Sequence, residues 1–169
     1  DRRIPIVIAT ILDPVELDFA KSLARPGTRV TGVTTMNKEL IGKRMELLAR
    51  AVPGLKRVGV IIDSGMRDAC QQEIDALEAA AKQLGLALQT ATVAGSHQVA
   101  GAFDQLSNAR VQAVMTTLTS TRNGLEREYA MAALQARLPS MSEFDYGARL
   151  GALLSYGPDL GVLFRRAGQ

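Results

Sequence analysis

The sequence of 169 residues contains one cysteine, one histidine and no tryptophan, and these scarcities exclude several kinds of site. Cys70 has no second cysteine with which to form an internal disulfide or a CxxC metal motif, so we interpret it as a small buried residue of a helix. His97 follows Ser96 at a predicted helix start, where we expect it to be solvated. A metal cage or a Cys–His catalytic pair needs more of these residues, and we expect no bound metal and no cofactor.

Aromatic residues are also few, at 4% of the chain. The formal net charge is +3, but the basic residues are scattered, and Arg2-Arg3 and Arg165-Arg166 are the only arginine doublets. Nucleic-acid binding calls for a basic stripe, usually with aromatic platforms on which bases stack. We therefore expect no nucleic-acid partner.

Long hydrophobic runs are absent as well. No apolar run approaches the roughly 20 residues that a membrane-spanning helix needs. The opening Asp1-Arg2-Arg3 leads directly into a strand-like run, without the pattern of a signal peptide. Hydrophobic residues nevertheless make up 47% of the chain and charged residues 22%, which is typical of a globular protein with a buried core.

Short apolar runs alternate with amphipathic segments along the chain. An apolar run bounded by turn residues indicates a strand covered on both faces, whereas apolar residues at spacings of three and four indicate a helix. The alternation predicts an α/β fold with a doubly wound parallel sheet and right-handed crossovers. The predicted strands are 4–9, 30–34, 57–62, 86–93, 112–118, 138–141 and 151–155; the predicted helices run from Asp13-Pro14 to residue 24, over 39–52, 69–84 and 96–108, from 119–121 to 137, over 143–150, and onward from Pro158.

Polar and aromatic residues recur where the predicted strands end. In an open parallel sheet ligands bind beyond the carboxyl ends of the strands, so these residues are expected to share one rim. Helix N-termini and hydroxyls there favour an acidic group, a carboxylate favours an amine, and aromatic rings favour an apolar body. The candidate ligand-binding residues are Asp13, Asp63, Ser64, Thr119, Ser120, Phe144 and Tyr156.

Several residues at the predicted strand ends also have a purely structural interpretation. Asp13, Ser64, Thr121 and Ser142 are of the types that cap helices, and Tyr156 is equally consistent with packing at a turn. No GxSxG elbow, P-loop or GxGxxG motif is present, so the sequence does not indicate an enzyme.

Two strings of residues resemble a known family. Residues 22–33 read SLARPGTRVTGV and residues 155–160 read SYGPDL, with further likeness at 4–7, 42–48 and 52–58. These stretches are similar to ABC transporter substrate-binding proteins of the tryptophan/tyrosine-uptake type, and the likeness covers essentially the whole chain. The resemblance implies a type I periplasmic-binding-protein fold, in which two Rossmann-like lobes close on a ligand in an interlobe cleft.

The resemblance also implies a division of the chain. Residues 1–36 correspond to the C-terminal remnant of lobe one, 37–154 to lobe two, and 155–169 to a crossover and the start of a helix returning to lobe one. We expect so small a lobe-one remnant to pair with a second copy as a homodimer of the truncated chain. Where the family usually has an aromatic residue and Asn-Pro after the strand ending at Ile62, this chain has Asp63-Ser64-Gly65, which leaves the ligand's identity open.

The function that the resemblance implies is that of the solute-binding component of an ABC importer. Its ligand is expected to be a small organic molecule, possibly an amino acid, and its partner the transporter's permease. The implied location is periplasmic, or extracytoplasmic and membrane-anchored. The alternative is a ligand-sensing domain of a signalling protein with the same fold.

Overall fold

The computed structural model describes residues 4–9, 14–15, 18–64, 67–117 and 124–169; the side chains of 67–70 and 72 are outside that description. The chain divides into two compact units, Lys38–Tyr156 and a smaller one of Asp1–Asn37 with Gly157–Gln169. The strands are β1 (Ile6–Ile8), β2 (Val30–Gly32), β3 (Arg57–Asp63), β4 (Ala87–Val93), β5 (Ala113–Thr116), β6 (Ser140–Ser142) and β7 (Leu154–Ser155); the helices are α1 (Asn37–Ala51), α2 (Arg67–Gln83), α3 (Val99–Asn108), α4 (Glu126–Gln135), α5 (Tyr146–Leu150) and α6 (Leu160–Ala167).

The larger unit is built on a five-stranded sheet in the order β4-β3-β5-β6-β7. Every neighbouring pair is parallel, with Val60 of β3 opposite Thr90 of β4 and Met115 of β5. Parallel neighbours need a crossover, and the helices between the strands supply it. The predicted α/β fold with a parallel sheet flanked by helices is confirmed.

Two hydrophobic clusters cover the two faces of this sheet, because successive side chains of a strand point in opposite directions. Val58, Val60 and Ile62 of β3 pack in one cluster with apolar residues of α1 and α2. Ile61 packs in the other cluster with apolar residues of α3 and α4. Helices on both faces explain why the strands read as continuous apolar runs.

Gly59 interrupts the apolar run of β3 for a packing reason. A Cβ atom at this position would lie 3.0 Å from Leu106 Cδ1, Leu106 Cδ2 and Val114 Cγ2. These distances are tighter than ordinary van der Waals contact, so the missing side chain lets α3 lie close to the sheet.

The smaller unit contains β1 and β2, which pair in parallel with Ile6 opposite Val30. It also contains α6, whose N-cap is Asp159: the Asp159 side chain accepts a hydrogen bond from the Val162 N–H at 2.9 Å. The predicted helix start at Pro158 is therefore two residues early.

The helix predicted from Asp13-Pro14 to residue 24 is wrong over its described part. Residues 14–15 and 18–24 form turns, bends and irregular backbone. Asp18 has a φ of 57°, in the left-handed region that an α-helix excludes. The Ser22 hydroxyl accepts from the Arg25 N–H at 3.0 Å, and the Thr28 hydroxyl donates to the Phe19 carbonyl at 2.8 Å. Side-chain bonds of this kind offer the backbone partners that compete with a helix.

The remaining predicted elements lie close to their positions in the structure, with shifted ends. The segment predicted as a helix over 96–108 begins with a 3₁₀ turn at Ser96–Gln98 before α3. His97 in that turn is exposed, as expected. In the part of the chain that the structure describes, no helix is both long enough and apolar enough to span a membrane.

Candidate functional site

The sheet of the larger unit changes winding direction at β3. The chain passes from β3 through α2 to β4 on one side, and then through α3 to β5 on the other side of β3. The carboxyl ends of β3 and β5 therefore flank the switch point, which is the usual ligand position in an open parallel sheet. This switch point is where the candidate site is expected within the unit.

Asp63 and Ser64 mark the carboxyl end of β3. Asp63 is the last residue of the strand and is half-buried, and Ser64 follows it in an exposed position. Both predicted residues thus lie at the switch point. Asp13, Thr119 and Ser120, the other predicted polar residues, lie outside the described residues.

Thr117 follows β5 on the other side of the switch point. Its buried hydroxyl donates to the Ile61 carbonyl at 3.0 Å, which ties the end of β5 to β3. Because this bond joins the ends of β3 and β5, it fixes their spacing at the switch point. Thr117 lies two residues before the predicted Thr119 but is not among the predicted site residues.

An aromatic pair and a carboxylate follow β6. The ring of Phe144 stacks on that of Tyr146, with centroids 5.6 Å apart and planes inclined by 19°. The Tyr146 hydroxyl donates to Glu126 Oε1 at 2.9 Å. Phe144 itself is only 5% exposed, so Tyr146, which is half-buried, presents more of the pair's surface.

The pKa of Tyr146 is raised above its ordinary value. Burial is the main cause, since it disfavours the charged phenolate. The hydrogen bond to Glu126 and the negative charges of Glu126, Glu143 and Asp145 act in the same direction. The phenol therefore stays protonated and donates its hydrogen to the carboxylate at neutral pH.

A buried arginine lies beneath the rim that follows β6 and β7. Arg44 Nε donates to the Tyr156 carbonyl at 2.7 Å, and its Nη1 lies 3.7 Å from Glu143 Oε2. The side chains of Arg44 and Glu143 are 2% and 1% exposed. Burial lowers the pKa of Arg44, while the charges of Glu143, Glu73 and Tyr156 oppose that shift. An arginine stays protonated in proteins, so the pair is ionic.

Tyr156 is fixed through its backbone rather than its side chain. Its N–H donates to the Ser142 carbonyl at 3.0 Å, and its own carbonyl accepts from Arg44. Its side chain is 41% exposed, at the point where the chain leaves the larger unit. The backbone of Tyr156 is therefore fixed by hydrogen bonds, while its ring is partly exposed to solvent.

The sequence prediction missed Arg44, Glu143, Tyr146 and Glu126. Arg44 and Tyr156 are 112 residues apart, and a charged residue in an amphipathic helix ordinarily faces solvent. A signal was present for Glu143 and Tyr146, since both lie in the strand-end segment that contains Phe144. No group of three or more His, Cys, Asp or Glu side chains suited to a metal occurs among the described residues.

A family model for "ABC transporter substrate binding protein" matches residues 1–164. The chain belongs to this family. The resemblance read from the two sequence strings is confirmed.

Three relatives illustrate the similarity. A tyrosine-binding protein from Clostridioides difficile (strain R20291) is 27% identical over 169 residues, 98% of this chain and 47% of that protein. The structure of an ABC domain in complex with L-Trp from Streptococcus pneumonia matches with a TM-score of 0.81 and 22% identity, over 99% of this chain and 57% of that one. A ligand-free, open structure of a substrate binding protein with adhesive properties from Clostridium difficile matches with a TM-score of 0.69 and 22% identity, over 99% of this chain and 56% of that one.

The chain thus spans about half the length of the curated relative, 47%, and 57% of the L-Trp complex. The two structures at 22% identity establish the fold that the chain shares with them.

Proposed function

We propose that this chain acts in the solute-binding component of an ABC importer and binds a small organic ligand, with an amino acid as the first choice. The observation that carries the proposal is the family match over residues 1–164. The tyrosine-binding relative supports an amino acid as the ligand class. The structure in complex with L-Trp shows an amino acid bound by a protein of the same fold.

The residues that follow the carboxyl ends of β3, β6 and β7 suit an amino acid as the ligand. The Asp63 carboxylate at the end of β3 suits an ammonium group, and the exposed Tyr156 ring suits an apolar body. Phe144 and the unpredicted Tyr146 contribute a second aromatic element after β6. Thr119, Ser120 and Asp13 remain candidates for a ligand's acidic group by their residue types alone.

The cellular setting follows from the family rather than from the geometry. We propose that the protein is a binder rather than an enzyme, that it works outside the cytoplasm, and that it delivers its ligand to a permease. For the chain of 169 residues taken by itself, we also propose that the β1–β2 unit pairs with a second copy, since Ile4, Ile6 and Val7 are exposed there. The molar mass in solution, measured by light scattering, tests that pairing.

Isothermal titration of the full-length protein tests the binding function. The panel holds L-tyrosine, L-tryptophan, aliphatic amino acids, and aromatic acids without an amine. We expect heat and a thermal shift from at least one amino acid. If no member of the panel gives either signal, the solute-binding proposal is wrong.

An Asp63→Asn variant tests the ammonium contact separately. A charge-assisted hydrogen bond is worth roughly 1.5–3 kcal/mol, so Asp63→Asn should weaken amino-acid binding about 10–100-fold. Binding of an acid that lacks the amine should change little. Asp104→Asn on the exposed side of α3 is the matched control, expected to bind as the unmodified protein does. Equal affinities for both variants would refute the role of Asp63 and leave the function standing.

A further inference from the structure

Arg44 joins the two ends of the larger unit. The chain enters this unit at Lys38, in the first turn of α1, and leaves it after Tyr156. Arg44 projects from α1, and its Nε donates to the Tyr156 carbonyl at 2.7 Å. One guanidinium therefore ties the entering helix to the last residue before the chain leaves the unit.

The same side chain also reaches the end of β6. Arg44 Nη1 lies 3.7 Å from Glu143 Oε2, and Glu143 directly precedes Phe144. Tyr156 is also hydrogen-bonded to the end of β6, because its N–H donates to the Ser142 carbonyl at 3.0 Å. The segments that carry Phe144 and Tyr156 are thus held together from beneath by Arg44.

Stability alone does not account for an arginine at this position. Its side chain is 2% exposed, and removing a guanidinium from water is costly. Buried ion pairs are often replaced by apolar residues of similar volume without loss of stability. What a guanidinium supplies and an apolar side chain lacks is a planar fork of donors in fixed directions. That rigidity matches a role in setting the relative position of two segments.

We propose that Arg44 is a positioning residue for ligand binding, holding the segments of Phe144 and Tyr156 in the arrangement that receives the ligand. This inference rests on the proposed solute-binding function. Arg44 is covered by the rim and acts through the segments that it fixes, so it need not touch the ligand.

Arg44→Lys is the variant that separates positioning from folding. Lysine keeps the positive charge beside Glu143 and Glu73 but is a point charge on a flexible stem, so it cannot hold both segments in the guanidinium's geometry. We expect full-length Arg44→Lys to fold, and to bind L-tyrosine or L-tryptophan, whichever the panel identifies, at least tenfold more weakly with faster dissociation. Arg50→Lys is the matched control, since Arg50 lies on the same helix with its side chain 73% exposed.

Repeating Arg44→Lys in a protein that also carries Tyr156→Ala distinguishes positioning from a general loosening of the fold. Tyr156→Ala removes the ring that Arg44 is inferred to position. In that background Arg44→Lys should weaken binding by less than about threefold, because most of what it positions is gone. Glu143→Gln, which keeps the shape and removes the charge, should weaken binding several-fold in the native background.

Three results overturn the proposal. The first is an Arg44→Lys protein whose dissociation constant and dissociation rate equal those of the unmodified protein. The second is an equal loss of affinity from Arg44→Lys with and without Tyr156→Ala, which means that Arg44 does not act by positioning the Tyr156 ring. The third is an unmodified protein that binds nothing in the panel, which overturns the proposed function and this inference together.

Discussion

Gly147 in α5 offers a sharp test of how tightly the segment after β6 is packed. A Cβ atom at this position would lie well inside van der Waals contact of Ser142 Cβ and Oγ. Two hydrogen bonds restrain its backbone, since its N–H donates to the Phe144 carbonyl and its own carbonyl accepts from the Ala152 N–H, both at 3.0 Å. Gly147→Ala therefore forces the end of β6 and α5 apart.

The expected cost can be estimated from overpacking. Inserting a methyl group into a filled site typically destabilises a protein by about 1–3 kcal/mol. Gly42→Ala in α1 is the matched control, because a Cβ there meets nothing within 4 Å. Glycine in a helix interior costs roughly 0.5–1 kcal/mol relative to alanine, so the same substitution at Gly42 should stabilise the protein. The two variants should differ in sign.

Urea denaturation followed by far-UV circular dichroism measures both free energies of unfolding. Because the chain has two compact units, amide exchange of β6 provides a reading of the larger unit alone. The double variant Ser142→Gly/Gly147→Ala removes the colliding hydroxymethyl group. It should recover most of the stability lost by Gly147→Ala, giving a coupling energy of about 1–2 kcal/mol between the two sites.

Two results would refute this reasoning. One is a Gly147→Ala protein as stable as Gly42→Ala. The other is a Ser142→Gly change that costs the same whether or not Ala occupies position 147. Either result would mean that the segment after β6 is loosely packed, and the anchoring of Phe144 would then lose its support.

Two further predictions concern the core and the buried phenol. Leu48→Ala should lower the free energy of unfolding by about 2–5 kcal/mol, because Leu48 is fully buried. Leu134→Ala, at a position 54% exposed, should change it by less than about 0.5 kcal/mol. Similar losses for the two variants in urea titrations would contradict the assignment of Leu48 to the core. Tyr146 should ionise at higher pH than an ordinary tyrosine, whose pKa is 10.0, because burial and Glu126 raise its pKa. The folded state then holds a proton that the unfolded state loses, so stability should fall as the pH rises above about 10. Tyr146→Phe should remove both this fall and the late phase of the absorbance titration at alkaline pH, and an unchanged titration would rule out the assignment.

The sheet was predictable because its signals are local. The apolar run from Val58 to Ile62 indicates a strand buried on both faces, and hydrophobic clusters do cover both faces of β3. The rim was predictable in part for the same reason: the residue that ends a strand can be read from the sequence, so Asp63 and Ser64 were placed correctly at the end of β3. The ligand-binding roles of these residues remain predictions.

The segment before residue 25 shows where local patterns fail. Leucine and alanine at helical spacing predicted a helix, but hydrogen bonds from Ser22 and Thr28 and the positive φ of Asp18 define a turn-rich path. Propensity is a weak guide where short polar side chains offer the backbone other partners.

Local sequence is enough to predict the alternation of strands and helices, the family and the polar character of the strand ends, because each of these depends on residues that are neighbours in the chain. Only the folded unit shows which strands are neighbours, and so where the switch point lies. Only the folded unit shows, too, that Arg44 is buried against Glu143 and the carbonyl of Tyr156, 112 residues away. The sequence shows that residue 44 is an arginine, and helical periodicity shows where it lies on α1. Which residues it contacts depends on the order of the strands. That order is set by packing across the whole unit, which no local pattern records.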